Sequence, residues 1–137
     1  MTDKSDSIPA KPRVDNAAWK AIVAKYQEPS TWRALWQIVN TVVPYAGVWY
    51  LMHLCLAISW LLVVPLAVLA GGLLVRVFII FHDCGHGSFF KSRRANDFVG
   101  FLSGILTFTP YYHWRWEHAI HHSSAGHLDK RGTGDVW

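Results

Sequence analysis

Five of the eight histidines in this 137-residue chain stand in two tight groups. One is His82-Asp83-Cys84-Gly85-His86, the other His118-Ala119-Ile120-His121-His122. On a helix, residues three and four apart share a face, so His82 and His86 project together, and His118, His121 and His122 form a second facing set. His121 and His122 are roughly 100° apart around the axis and could serve different metals or different edges of one. Neutral imidazole is a ligand for zinc, copper, iron and nickel. Histidine in this number beside a lipid-grade apolar stretch points to a metal site rather than to core packing. His-Asp-x-x-His superficially resembles the His-Glu-x-x-His of zinc proteases. Three features argue against that: Asp is one methylene short, Gly85 would loosen the helix inside the motif, and a second cluster is surplus to one catalytic zinc. Many imidazoles with few carboxylates suggest two metals in a histidine-rich site, unlike the Glu-rich sites of soluble di-iron bundles.

Something must carry these groups to one place. Hydrophobic residues make up 52% of the chain and charged ones 16%, and the apolar ones are concentrated. Between Arg33 and Arg76 run 42 residues without an Asp, Glu, Lys or Arg. As helix that is roughly 63 Å, or about two bilayer cores of ~30 Å. The expected fold is an all-α integral membrane protein: a transmembrane hairpin with spans at about 35–56 and 58–81. Trp49, Tyr50 and Trp60 fall around the far turn, where amphipathic aromatics belong, with His53 beside them in a structural role. Pro44 and Pro65 are expected to kink the spans. Lys and Arg flank the hairpin and are missing from its turn, so the positive-inside rule puts both termini, and both histidine groups, on the cytoplasmic side. The net charge of +4 then reflects contact with lipid headgroups and implies no nucleic-acid partner. Cys55 and Cys84 fall near opposite faces and cannot pair. The polar first thirty residues are not a signal peptide, and the first span is expected to direct its own insertion.

Residues 1–14 are polar with two prolines and are expected to be a disordered tail. Residues 15–34 read as an interfacial amphipathic helix capped by Asp15, with Trp19, Ile22, Val23 and Tyr26 on one stripe. That stripe suits a membrane surface or the rest of the protein equally. Pro29 ends this helix, and Ser30 or Thr31 can cap the next. Arg76 is expected to snorkel to the near interface. Lys91–Asp97 form a basic connector in which Asn96 or Asp97 can cap a helix. The apolar stretch 98–112 is 15 residues long, short of the ~20 a span requires. If it crossed, the second histidine group would lie on the opposite face from the first. It should therefore be re-entrant or interfacial, with Gly100 and Gly104 allowing close packing on the hairpin.

His-Asp-Cys-Gly-His followed by Gly-Ser-Phe-Phe, and then His-Ala-Ile-His-His, resembles the membrane fatty acid desaturases, nearest their bacterial and plastid acyl-lipid branch. The likeness extends through Lys91–Asp97 and Leu128–Trp137 and covers about residues 35–137, a partial desaturase domain. It implies that His82, His86, His118, His121 and His122 are ligands of a di-iron centre. The resemblance further implies that O2, with two electrons from a ferredoxin- or cytochrome-type donor, is used to place a cis double bond in a membrane lipid acyl chain. Asp83 is expected to orient a box histidine from behind. Cys84 is expected to pack, His113 to sit at an interface, and His127 has no assigned role. The third His-x-x-His-His box of such enzymes is not in this sequence. The resemblance therefore implies an N-terminal portion, inactive alone, whose missing C-terminal portion completes the site, in a bacterial inner membrane. A non-catalytic descendant and a di-iron hydroxylase or ketolase are the alternatives.

Overall fold

The computed structural model describes residues 16–24 and 28–124. The expectations for the N-terminal tail, Asp15, Tyr26, His127 and the 128–137 segment lie outside those residues. Five α-helices follow in order: α1 (Asn16–Ala24), α2 (Thr31–Leu56), α3 (Val63–His86), α4 (Arg93–Leu106) and α5 (Tyr111–Ser124), with a 3-10 turn at Trp60–Leu62 ahead of α3. There is no strand among the described residues. The fold is thus the expected all-helical one, built on two helices long and apolar enough to cross a membrane, with mean hydropathy 1.2 for Thr31–Leu56 and 2.5 for Trp60–His86.

The two long helices pair along small residues. Ala34, Thr41 and Val48 of α2 are buried, as are Ala70, Val77 and Cys84 of α3. Each set repeats every seven residues, the spacing that keeps one seam of a helix facing its neighbour. Small side chains on the seam let the backbones approach, which is how helices associate where lipid removes the hydrophobic driving force. The larger apolar residues point outward: Val43, Val68, Val75 and Ile79 are all exposed. Pro44 interrupts α2, whereas Pro65 falls in the first turn of α3, where no helical N–H bond is lost. Both long helices exceed the expected spans. α2 begins at Thr31 rather than near Leu35, so residues 31–34 belong to it and not to the surface helix, and α3 continues through the first histidine box to His86. Gly87, at φ 71°, ends α3 in the left-handed conformation, a backbone position that costs a glycine least.

Two further expectations are corrected. The cap of α4 is Ser92, whose Oγ accepts from the Ala95 N–H at 3.4 Å. Asn96 is instead fully inside: its Oδ1 accepts from the Phe90 N–H at 2.8 Å, and its Nδ2 donates to the carbonyls of Phe90 at 2.8 Å and Ser92 at 3.2 Å. The amide thereby satisfies a loop that has no secondary structure of its own. The stretch 98–112 is also not one element. α4 stops at Leu106, the chain reverses through Phe108 (φ 53°), and α5 starts at Tyr111.

α4 turns a small polar stripe inward (Asn96, Gly100, Ser103, Gly104) and its large apolar residues outward (Phe98, Phe101, Ile105). The two glycines have different neighbours. A Cβ on Gly100 would collide with the Tyr111 ring of α5, and one on Gly104 would lie 2.6 Å from the Thr109 carbonyl oxygen and 3.2 Å from Phe81 of α3. In α1, Trp19 and Ile22 are 62% and 60% exposed among the described residues, while Val23 is half-buried.

Candidate metal site

α3 brings the first box to the end of the hairpin and α5 lays the second across it. The Nε2 atom of His86 is 3.3 Å from that of His82 and 3.1 Å from that of His118, and the Nε2 atom of His118 is 3.0 Å from that of His122. Four imidazole nitrogens thus follow one another in a chain of short approaches, His82–His86–His118–His122. Nitrogens bound at about 2.1 Å to one ion, about 90–110° apart, lie about 3.0–3.4 Å from each other, so these spacings suit a shared cation. His82, His86 and His118 alone keep their ligand atoms within 4.8 Å of one another. His121 lies to the side, its ring 6.0 Å from His118 and 5.6 Å from His122. The boxes meet at 3.1 Å, so the chain between them returns to the end of the hairpin that it left.

Several neighbours hold the rings in place. The Nδ1 atom of His82 lies 3.3 Å from Asp83 Oδ1, which leaves its Nε2 for the cluster. Trp114 stacks on His118 at 4.3 Å between centroids and 16° between planes, and its other neighbours are Phe81 at 4.7 Å and His82 at 5.7 Å. Gly85 was expected to loosen the helix. It is instead where the Trp114 ring of α5 lies against α3: a Cβ there would lie 2.7 Å from Trp114 Cζ3. The Tyr111 hydroxyl donates to the Cys84 carbonyl at 2.9 Å, tying the start of α5 to α3. Burial, more than the neighbouring charges, pushes that phenol up to about 12, so it keeps its proton. Arg115 Nη1 donates to Asp97 Oδ1 at 2.8 Å and joins α5 to α4.

The electrostatics favour free lone pairs over protons on His86 and His118. Burial first, then repulsion from His122, His82, His86 and His121, lowers His118 to about 4. At neutral pH it is an uncharged imidazole, the form that binds a metal. A cleft of about 610 Å³ opens beside the cluster between His86, Arg93, Arg115, Trp116 and His122.

The remaining candidates do other things. His113 pairs with Glu117 at 3.4 Å, one turn on along α5, and His53 ends α2. Cys84 is fully buried in the core with Ile80, Phe81, Phe90 and Tyr111, and both cysteines are free thiols. Arg76 reaches across the hairpin: it donates to Asn40 Oδ1 at 2.7 Å and to Thr41 Oγ1 at 3.3 Å. Sequence reasoning missed Trp114, Tyr111 and the Asp97–Arg115 pair. The one available signal was the aromatic run Tyr111-Tyr112-His113-Trp114-Arg115-Trp116 just ahead of the second box.

Comparison with known proteins places this arrangement. The chain is 51% identical over 115 residues to a fatty acid desaturase of Bacillus subtilis (84% of this chain, 33% of that protein). It is 37% identical over 117 residues to an sn-1 acyl-lipid omega-3 desaturase (ferredoxin) of Synechocystis (85% and 31%). It is 35% identical over 95 residues to an sn-1 oleoyl-lipid 12-desaturase of the same organism (69% and 25%). It spans about a third of the length of the first of these relatives. No solved structure matches it. The fatty acid desaturase family profile matches residues 58–134, which takes in both boxes and the tryptophan wedged between them. With this match and two histidine clusters that meet at the end of an apolar hairpin, the chain belongs to the fatty acid desaturase family, a family of oxidoreductases.

Proposed function

We propose that this chain forms part of an acyl-lipid desaturase that uses O2 and a di-iron centre to introduce a cis double bond into a membrane lipid acyl chain. The observation that carries the reading is the run of Nε2–Nε2 approaches at 3.0–3.3 Å that links His82, His86, His118 and His122 across two helices, at the end of a hairpin apolar enough for a membrane. His82, His86, His118, His121 and His122 would hold the metal, and residues outside this sequence would complete the ligand set for two ions. When bound, iron would supply the O2 activation that removes two hydrogens from adjacent methylenes.

The chain's own residues prepare for this. Asp83 turns His82 so that Nε2 faces the cluster, as carboxylates commonly do behind ligating histidines. Trp114 fixes the plane of His118. Phe78, Phe81 and Trp114, packed ring to ring at 4.7–6.0 Å, form an apolar floor between the cluster and the membrane end of α3. A hydrocarbon chain could rise along that floor without meeting water. Both termini and the cluster lie on the cytoplasmic side in this reading, within reach of a ferredoxin-type donor, the kind printed in the name of one relative.

Expression of the full-length gene in a host with mainly saturated lipids, followed by mass spectrometry of the fatty acids, tests the reading. A new cis double bond is expected, lost in His86→Ala and His121→Ala while membrane insertion persists. No new double bond, hydroxylated or keto products only, or full activity of the His86 variant would refute it.

A further inference from the structure

We propose that Arg76, Asn40 and Thr41 form a binding site for the phosphate of an anionic membrane lipid. Arg76 lies in the most apolar helix of the chain. Among the described residues, none of the ion pairs involves it. A cation within a membrane span is costly and marks a functional-site candidate. Its guanidinium is held across the hairpin by neutral acceptors, Asn40 Oδ1 at 2.7 Å and Thr41 Oγ1 at 3.3 Å.

Counting donors and acceptors shows what the cluster offers outward. The Thr41 hydroxyl, on a fully buried residue, lies 3.5 Å from the same Asn40 Oδ1. Both lone pairs of that oxygen are therefore engaged inside the cluster. Left over are three of the five guanidinium N–H groups and the two of the Asn40 amide. The exposed side chain of Arg76 thus presents donors and one positive charge, and among the described residues no carboxylate pairs with it. A tie between two helices needs only two donors, which an uncharged glutamine amide supplies. The charge itself calls for an anion, and guanidinium suits phosphate through paired N–H bonds.

Depth selects a lipid as the source. Trp32 and Trp36, 76% and 59% exposed on α2, mark an interfacial aromatic belt. Asn40 lies one turn, about 6 Å, further in, close beneath the headgroups. The site is separate from the histidine cluster, and the inference stands whatever that cluster binds.

The test uses the full chain in nanodiscs of equimolar phosphatidylglycerol and phosphatidylcholine, with one or the other carrying a photoreactive headgroup. Adducts mapped by mass spectrometry should fall on the peptides carrying Asn40–Thr41 and Arg76, and phosphatidylglycerol should label them in excess. Arg76→Gln should lower that labelling about 5-fold, the effect expected of one charge near the bilayer surface. Unchanged labelling in this variant, adducts confined to residues 91–94, or equal labelling by the two lipids would overturn the proposal. If the variant fails to insert, the wild-type adduct map decides. Loss of the adducts on adding excess inorganic phosphate would mark a soluble-anion site and overturn the lipid assignment.

Discussion

Adding one methyl group at Gly85 should weaken metal binding more than it weakens the fold. In Gly85→Ala the new Cβ starts 2.7 Å from Trp114 Cζ3. Carbon atoms settle about 3.5–4.0 Å apart, so the two helices must part by about 1 Å or the indole must tilt. Tilting is resisted from both sides, by His118 at 4.3 Å and Phe81 at 4.7 Å between ring centroids. Overpacking of this kind costs about 1–3 kcal/mol, while alanine regains about 1 kcal/mol over glycine in a helix interior. The net destabilisation should therefore be about 0–2 kcal/mol. The ligands fare worse, because opening the crossing by about 1 Å stretches the 3.1 Å His86–His118 approach. Loss of such supporting geometry typically lowers metal affinity about 10–100-fold. Iron(II) affinity can be measured anaerobically by chelator competition on the detergent-solubilised chain, with thermal unfolding recorded in parallel. Trp114→Phe in the same background should recover part of the affinity, a coupling that a double-mutant cycle reads directly. Parental affinity in Gly85→Ala, or additive losses in the double variant, would refute the claim that this contact sets the spacing of the boxes.

Four other outcomes follow from the structure. Asn96→Ala strands the Phe90 N–H and carbonyl inside the protein and should destabilise by about 1–3 kcal/mol, with faster proteolysis of the 87–92 loop as the readout. Asp97→Asn weakens the 2.8 Å bond to Arg115 and should loosen α5, seen as faster amide exchange over residues 111–118 with α2 unchanged. His118 is lowered to about 4 from an ordinary 6.5, so between those values the unfolded chain binds the extra proton. The metal-free protein should then lose stability as pH falls from 6.5 toward 4, and His118→Asn should flatten that slope in thermal melts. Single cysteines at Ser92 and Ser124, in a Cys55→Ser and Cys84→Ala background, should react with an impermeant thiol reagent from the same side of the membrane. Reaction from opposite sides would break the link between the boxes.

The hairpin and both boxes could be read from the sequence because each rests on a local period: apolar length for α2 and α3, and i, i+4 histidines for the ligands. That the boxes meet also followed, from the shortness of the 98–112 stretch. What escaped was set by partners distant in the chain. Asn96 looked like a cap, since Asn is favoured at helix starts, yet its amide is used by a loop six residues back. The partners of Arg76 escaped because nothing local announces Asn40 and Thr41 as its acceptors. Gly85 looked permissive until the indole opposite it was seen. α4 hid its break for a related reason. Its outward face is the apolar one, so composition ran on smoothly through the turn at Phe108.

That turn leaves Phe108 93% exposed at its tip. In the proposed re-entrant placement, a benzyl group held outward at the apex of the reversal is what the acyl tails would meet first, and it would set how deep the second box rides.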